Sequence, residues 1–197
     1  MFDSHQLRIN LRRQRRALSP AQQQQAAEQI AEHLVRSRWL LYSRRIAFYL
    51  ASRGEIDPFI AQQFASDMGR QTALPVLHPN GSNRLLFAPA DAPMAANRFG
   101  IQEPDLKVCE PIALWTLDII LVPLVAFDGS GNRLGMGKGY YDRTLARLHN
   151  RVRRPKLIGL AHHFQQVDAL QPQPWDVPLD GVVTDREILR FSGRTRR

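Results

Sequence analysis

Cysteine is nearly absent from the sequence, which has only Cys109 among its 197 residues. A disulfide within the chain needs two cysteines, so no such bond can hold the fold, and a single thiol is typical of a reducing compartment. No histidine that could activate Cys109 can be placed beside it from the sequence. The sequence therefore disfavours both a disulfide-stabilised fold and catalysis by a cysteine nucleophile.

Long hydrophobic runs are also absent. No segment is apolar for the length of a membrane helix, and the N-terminus lacks the apolar stretch of a secretory signal. We therefore expect a cytoplasmic protein with no membrane partner. With 44% hydrophobic and 23% charged residues, the 197-residue chain is long enough for one domain, 1–197, around one core.

Acidic residues are fewer than basic ones. The chain has 18 Asp and Glu and 27 Lys and Arg, which gives a formal net charge of +9. The basic residues gather at 8–16, 143–156 and 186–197. Such a balance attracts polyanions such as nucleic acid, ATP or an acidic small substrate, although many basic runs are only solvated faces. A basic RNA-binding or ribosome-associated protein is therefore one alternative. The chain has no RNP aromatic pattern, GXXG clamp or zinc-finger spacing to support it.

The most informative stretch reads as a buried strand, a glycine-rich loop and a helix. The apolar run 119–127 predicts a central strand of a covered sheet, and Tyr141, Leu145 and Leu148 have helical spacing. Between them lie five glycines, whose missing Cβ atoms let backbone N–H groups approach a bulky anion. A loop that leads into a helix N-terminus favours negative charge, and Arg133 and Lys138 add cations. The pattern predicts a phosphate site, with a plain tight connection as the alternative.

Known phosphate motifs do not match this loop. A Walker loop needs Ser or Thr after its Lys, whereas Lys138 is followed by Gly139, and the glycines have GxGxG spacing rather than GxGxxG. Asp142 lies in the first turn of the predicted helix. Its carboxylate could hold Mg²⁺ against bound phosphates or could simply interact with the helix dipole, and its position in the sequence fits both.

The remaining elements alternate between helix and strand, which predicts a three-layer α/β fold with a mainly parallel sheet and right-handed crossovers. Ser19 and Pro20 supply the N-cap and first residue of the second helix. We expect a long functional loop over 88–111, a short helical turn over 167–170 and a last strand at 181–184. The other predicted helices are 4–17, which is basic, and 58–69; the other predicted strands are 45–50, 71–77, 84–89 and 156–161.

Residues 132–142, NRLGMGKGYYD, closely resemble the NRLGxGxGYYD signature of 5-formyltetrahydrofolate cyclo-ligases, also called methenyltetrahydrofolate synthetases. The resemblance extends over nearly the whole chain. Further segments match the family's in the same order: LRxxLRxxRRALS, FYLASRGEID, LPVL, NRFGIQEP, LVPLVAFD and WDVPLDGVVT. The family's fold is similar to that of ribose isomerases and CoA transferases.

This resemblance implies an ATP- and Mg²⁺-dependent ring closure. The formyl oxygen of 5-formyltetrahydrofolate is phosphorylated, N10 attacks, and phosphate leaves to give 5,10-methenyltetrahydrofolate and ADP. Such chemistry needs positioned phosphates, Mg²⁺ and cations more than a covalent nucleophile. A second alternative keeps the fold but makes the protein a sugar-phosphate or CoA-type enzyme, which would work without ATP.

The resemblance also implies the residues that bind ATP. Arg8 matches an arginine that reaches the nucleotide, and the glycine-rich nucleotide loop, 128–142, holds the phosphates. Where the family usually has a lysine four residues before that arginine, this chain has Ser4. Asp142 and Asp176 match metal-binding aspartates, with a turn or cap as the alternative for Asp176. The implied loop contacts are Arg133, Leu134, Gly135, Met136, Gly137, Lys138, Gly139, Tyr140 and Tyr141.

For the folate, the resemblance implies that Glu55 accepts hydrogen bonds from the pterin edge, that Leu50 lies under the pterin and that Phe99 forms a flat wall. A surface turn for Glu55 and core positions for the other two are the alternatives. The loop residues from Met136 to Tyr140 would also contact the substrate, and the implied catalytic residues are Arg133, Lys138 and Tyr140. We expect a monomer whose basic surface could attract a polyglutamate tail on the substrate.

Overall fold

The computed structural model describes residues 3–148 and 154–191. Parts of two predicted basic groups, 149–153 and 192–197, lie outside the described residues. In chain order the elements are α1 (Ser4–Ala17), α2 (Pro20–Arg36), β1 (Arg45–Ala47), α3 (Phe59–Asp67), β2 (Gln71–Leu77), β3 (Leu85–Pro89), β4 (Met94–Ala96), β5 (Gln102–Pro104), β6 (Ile119–Pro123), β7 (Ala126–Phe127), β8 (Arg133–Leu134), α4 (Tyr140–Leu145), β9 (Lys156–Ala161), β10 (Gly181–Thr184) and β11 (Ile188–Arg190).

Seven strands form the main sheet in the order β11-β10-β9-β6-β1-β2-β3. The five inner strands run parallel, and β3 and β11 pair antiparallel at the two edges. β6 therefore occupies the centre, as its continuous apolar sequence predicts for a strand covered on both faces. The expected three-layer fold with a mainly parallel sheet is confirmed.

Alternate side chains of the central strands enter different cores. Ile119 and Leu121 pack in the core under α2 and α3, whereas Ile120 and Val122 pack on the other face with Leu145 of α4. Because the side chains of a strand alternate between faces, a continuous apolar run fills both cores. A smaller third cluster joins Leu11 of α1 to the segment after β6.

The N-terminal helices begin where the sequence provides caps. The Asp3 carboxylate accepts from the backbone N–H groups of His5 and Gln6, and Ser19 forms a capping box with Gln22 at the start of α2. These side chains satisfy N–H groups that have no partner within the helix. The predicted basic helix over 4–17 is confirmed to the residue.

The prediction of one strand over 119–127 was wrong. The chain leaves the sheet after Pro123, and β7 pairs instead with β8 of the glycine-rich loop. Because the chain leaves the sheet, the carbonyl groups of Leu124 and Val125 need partners outside it. Arg15 donates a hydrogen bond to the Leu124 carbonyl, and Gln165 donates to both carbonyls. Apolar content alone could not reveal this bend, because the residues on both sides of it are equally buried.

Other elements also differ from prediction. The expected loop over 88–111 contains the antiparallel β4–β5 hairpin, and β11 follows the strand at 181–184 that was expected to be the last. The helical turn lies at His163–Gln165 instead of at 167–170. Some elements are shorter than expected: the strand predicted over 45–50 ends at Ala47, and α4 ends at Leu145, with a 3₁₀ turn after it. Elements this short have too few residues for a periodic sequence pattern to reveal where they begin and end.

No helix within residues 3–148 and 154–191 has both the length and the apolar character to cross a membrane.

Gly181 is a position where packing leaves no room for a side chain. A Cβ there would lie 2.7 Å from the backbone oxygen of Leu189 and 2.7 Å from the Trp39 ring. We expect Gly181→Ala to lower the free energy of unfolding by about 1–3 kcal/mol through overpacking. Gly129→Ala is the control, because a Cβ at Gly129 meets no atom within 4 Å. Denaturant unfolding curves that coincide for the two variants would contradict this packing.

Candidate functional site

A cavity of about 690 Å³ opens at the carboxyl ends of the parallel strands. Leu50 follows β1, and Leu77 and Pro123 are the last residues of β2 and β6; all three line the cavity. The β4–β5 hairpin, the glycine-rich loop and the segment 170–176 complete its walls. Open α/β sheets bind ligands at this end because loops from several strands converge there.

Asp128 anchors the beginning of the glycine-rich loop. Its buried carboxylate accepts from the backbone N–H groups of Ser130, Asn132 and Leu170 and from the Asn132 side chain, at 2.9–3.0 Å. Gly131 has φ +82°, a conformation that favours glycine. The loop therefore starts from a fixed turn. An Asp followed by Gly, Ser and Asn is typical of such turns, so the sequence did contain the signal.

Of the residues implied by the resemblance, only Glu55 is not among those that line the cavity. The structure brings the others together around one space although they come from distant parts of the chain: Arg8, Leu50, Phe99, Arg133, Leu134, Gly135, Met136, Gly137, Lys138, Gly139, Tyr140, Tyr141, Asp142 and Asp176.

Arg133 and Asp142 form an ion pair at the cavity wall. Arg133 is buried, and its two terminal nitrogens donate to the Val177 carbonyl and to Oδ1 of Asp142. The Val177 N–H donates to the same carboxylate oxygen at 3.4 Å. The guanidinium therefore fixes the direction of the Asp142 carboxylate, because it has two acceptors on different segments.

Arg8 connects α1 to the glycine-rich loop. Its Nε donates to the Gly135 carbonyl at 2.9 Å, and its Nη1 lies 3.3 Å from both the backbone and side-chain oxygens of Ser4. Ser4, where the resemblance leads one to expect a lysine, also lines the cavity. Its hydroxyl thus contacts Arg8 from the position expected to hold a cation.

Phe99 and Leu50 expose apolar surface to the cavity, with 52% and 41% of their surface accessible. The Lys138 ammonium lies 4.9 Å from the centre of the Phe99 ring, and the Arg98 guanidinium lies 5.0 Å from it. Both distances are within the range of cation–π attraction. Neither Phe99 nor Leu50 is a core residue, so the alternative of core positions is excluded for both.

Glu55 lies behind the cavity wall in a buried polar cluster. Its Oε2 accepts from the N–H and hydroxyl groups of Ser52, and its Oε1 lies 3.9 Å from a terminal nitrogen of Arg15. Both side chains are almost inaccessible, 8% for Glu55 and 1% for Arg15. Burial raises the pKa of Glu55 above its usual value, and the nearby Arg15 charge partly offsets that rise.

Two tyrosines of the cavity wall lie near this polar cluster. Tyr49 and Tyr141 both line the cavity, and burial followed by the Glu55 charge raises the pKa of each hydroxyl. The Tyr49 hydroxyl donates to the Ile56 carbonyl at 2.8 Å. Tyr141 also packs against the core with Leu145. Both phenols therefore stay protonated near neutral pH.

The helix after the loop is short. α4 has six residues, and Gly139, its N-cap, has φ +65°. Because a glycine has no side chain, Gly139 cannot cap the helix with one. The Arg143 side chain donates to the Lys138 carbonyl at 2.5 Å. The charge at this end of the cavity thus comes mainly from side chains such as Lys138 and Arg8.

Asp142 and Asp176 have the chemistry of a magnesium site. Both line the cavity, and each uses one carboxylate oxygen, Asp142 with Arg133 and Asp176 with the Gln173 N–H at 2.8 Å. Among the described residues, neither second oxygen has a hydrogen-bond partner, and no group of three or more His, Cys, Asp or Glu could enclose a metal. Mg²⁺ often binds to one or two carboxylates and takes its other ligands from water and phosphates. The two aspartates fit that pattern.

Several residues of the site had no clear signal in the sequence. Arg15 reads as one more cation of a basic helix, yet it is the buried residue that contacts Leu124 and Glu55. Asn97 and Glu103, in a stretch predicted as loop, line the cavity and are hydrogen-bonded to each other. Burial of a charged side chain depends on tertiary packing, which residue periodicity does not encode.

Comparison with known proteins agrees with this geometry. A family model described as the 5-formyltetrahydrofolate cyclo-ligase family matches residues 2–185. The 5-formyltetrahydrofolate cyclo-ligase of Haemophilus influenzae is 42% identical over 176 residues, which are 88% of this chain and 93% of that protein. The Escherichia coli K12 protein of the same name is 39% identical over 182 residues, 90% of this chain and 98% of its own. The solved structure of Aquifex aeolicus 5,10-methenyltetrahydrofolate synthetase superposes with a TM-score of 0.80 at 30% identity and covers 98% of this chain and 96% of that one.

The raised pKa of Glu55 has a consequence for stability. A carboxyl group that binds its proton more tightly when folded favours folding at low pH, and that contribution is lost as pH rises from the unfolded value, 4.5, through the folded pKa. We expect Glu55→Gln to reduce the fall in unfolding free energy across this window. Glu28→Gln, at an exposed position on α2, is the control. Identical pH profiles for Glu55→Gln and wild type in urea titrations would contradict the buried placement.

Proposed function

The chain belongs to the 5-formyltetrahydrofolate cyclo-ligase family, and we propose that it converts 5-formyltetrahydrofolate and ATP into 5,10-methenyltetrahydrofolate, ADP and phosphate. The observation that carries this proposal is the single cavity in which the glycine-rich loop, two aspartates and an exposed aromatic wall meet. A phosphoryl group must pass from one substrate to the other, so both must bind in one space.

The reaction has two steps. The formyl oxygen attacks the γ-phosphorus of ATP, an O–P bond forms, and ADP leaves with the electrons of the broken bond. N10 then attacks the formyl carbon and loses its proton, and the C–O bond breaks to release phosphate. Positioning of the reacting atoms and stabilisation of charge on the phosphate oxygens are what the protein must supply.

The glycine-rich loop and its cations would hold the ATP phosphates. Lys138 is the mobile cation of the loop, and Arg8 is already in contact with the Gly135 carbonyl. Arg133 would act through Asp142, because both of its terminal nitrogens are bonded to protein acceptors. Asp142 and Asp176 would hold Mg²⁺ through their second oxygens. The ion supplies neutralisation of phosphate charge when it is bound.

The folate would lie against the apolar surfaces of Leu50 and Phe99. Tyr140, at the start of α4, lines the same cavity, and we propose that it contacts the formyl region. We propose that Glu55 accepts hydrogen bonds from the pterin edge, as the resemblance implies; Glu55 is not among the lining residues, but Ser52, whose N–H donates to its carboxylate, lines the cavity. The buried pair with Arg15 keeps that carboxylate close by.

We further propose a cytoplasmic monomer that accepts a polyglutamate tail. The support for the tail is the formal charge of +9, with Arg143 of the second basic group hydrogen-bonded to the Lys138 carbonyl of the loop. Attraction between opposite charges weakens with salt, so KM for the polyglutamylated substrate should rise with ionic strength more than KM for the monoglutamate. Equal salt dependence for the two substrates would remove this part of the proposal. An RNA-binding role, by contrast, has only the net charge in its favour.

The direct test follows methenyltetrahydrofolate absorbance when 5-formyltetrahydrofolate is mixed with enzyme, with and without Mg-ATP. We expect signal only with ATP, and a loss of at least about 100-fold in kcat/KM for Asp142→Asn, because phosphate charge is then poorly neutralised. Asp67→Asn, at an exposed position on α3, is the control. A folded wild type that gives no signal would overturn the proposed reaction, and full activity in Asp142→Asn would overturn the role of that residue.

Arg8 offers a second test, directed at the nucleotide. We expect Arg8→Met to raise KM for ATP about tenfold and to leave KM for 5-formyltetrahydrofolate nearly unchanged, since one charged hydrogen bond near the phosphates is lost. Arg13→Met is the control, because Arg13 is exposed on the same helix and does not line the cavity. Steady-state kinetics should show a rise in KM for ATP without a matching rise in KM for 5-formyltetrahydrofolate. An equal rise in both KM values would contradict a role of Arg8 in nucleotide binding.

A further inference from the structure

Glu103 lies where the β4–β5 hairpin meets the main sheet. Its Oε2 accepts from the backbone N–H of Leu77 at 3.0 Å and from the side-chain amide of Asn97 at 2.9 Å. Leu77 is the last residue of β2, so the first hydrogen bond ties β5 to the carboxyl end of an inner strand. One carboxylate oxygen thus joins three segments of the cavity wall.

The second hydrogen bond fixes the tip of the hairpin. The Oδ1 of Asn97 accepts from the N–H groups of Phe99 and Ile101, at 2.9 and 3.2 Å. Its backbone N–H donates to the Ile101 carbonyl, and its carbonyl accepts from the Gly100 N–H. Because the Asn97 amide nitrogen is held by Glu103, the side chain has a single orientation in which its oxygen faces the turn. Glu103 therefore determines the shape of the turn that carries Phe99.

The turn faces the glycine-rich loop across the cavity. The Phe99 ring lies under the Lys138 ammonium, with 4.9 Å between the nitrogen and the ring centre. This is the contact between the aromatic wall and the loop expected to carry phosphates. A shift of the hairpin by an ångström would move the ring away from both Lys138 and a flat substrate.

We propose that Glu103 is a positioning residue, which locks the β4–β5 hairpin onto the end of β2 and so places Phe99 opposite Lys138 for recognition of a planar, aromatic substrate. The assignment rests on the proposed function for the identity of that substrate. It does not require Glu103 to touch the substrate, and what it needs from the side chain is an oxygen that accepts two hydrogen bonds rather than a negative charge.

That distinction defines the variants. Glu103→Gln keeps an acceptor oxygen for Leu77 and Asn97, so near-normal kinetics are expected. Glu103→Ala removes it, and KM for 5-formyltetrahydrofolate should rise about tenfold while KM for ATP stays within about twofold. Glu110→Ala, at an exposed position in the same stretch, is the control. A purely structural role would instead raise KM for 5-formyltetrahydrofolate and KM for ATP together.

A variant at the partner residue tests the same hydrogen bond from the other side. Asn97→Asp places two carboxylates against each other and should impair folate binding as Glu103→Ala does. A wild-type KM for 5-formyltetrahydrofolate in Asn97→Asp would contradict the role of this hydrogen bond.

Amide hydrogen exchange separates this inference from the proposed reaction. The Leu77 N–H should exchange faster in Glu103→Ala than in wild type or Glu103→Gln, in the absence of any substrate. An unchanged KM for 5-formyltetrahydrofolate in Glu103→Ala, or equal impairment in Glu103→Gln, would overturn the positioning role. If wild type itself gave no product while Leu77 exchange behaved as expected, the proposed reaction and the substrate assignment would fall, and the hairpin lock would stand.

Discussion

The departure of the chain from the sheet after Pro123 is the constraint on which the site depends. A strand cannot leave a buried sheet without exposing carbonyl groups to an apolar interior, and unpaired groups there are costly. Arg15 and Gln165 satisfy the Leu124 and Val125 carbonyls from two other elements. The bend can therefore exist only when α1 and the turn after β9 are packed in place, which makes the geometry of the cavity a property of the whole fold.

Once the chain has left the sheet, the buried carboxylate of Asp128 fixes the shape of the loop that follows the bend. Asp128 takes four hydrogen bonds, β7 pairs with β8, and Arg133 of β8 then holds Asp142 at the start of α4. Arg8 of α1 contacts the same loop, because its side chain donates a hydrogen bond to the Gly135 carbonyl. Cations, carboxylates and an aromatic wall thus meet in one cavity, although α4, the helix that follows the loop, has only six residues.

The sequence predicted the parallel sheet and its central strand from apolar runs and caps, and the resemblance that rests on the 132–142 motif implied fewer than half of the residues that line the cavity. It did not predict the break at Leu124 or the hairpin around Asn97, which depend on hydrogen bonds from residues distant in the chain. Glu55 shows the same limit. The resemblance implied that its carboxylate meets the pterin edge, whereas the structure buries it beside Arg15, and it is not among the residues that line the cavity. Partners of buried polar groups follow from tertiary structure and cannot be read from spacing.

The central claim is that the cavity brings the formyl oxygen into line with the terminal phosphate of ATP. Single turnover with 5-formyltetrahydrofolate labelled with ¹⁸O in the formyl group tests this claim most directly, with mass analysis of the inorganic phosphate released. The two-step reaction predicts one ¹⁸O atom in each phosphate, since the O–P bond forms before the C–O bond breaks. Unlabelled phosphate would contradict the account, because the formyl oxygen would then have left without ever having been phosphorylated.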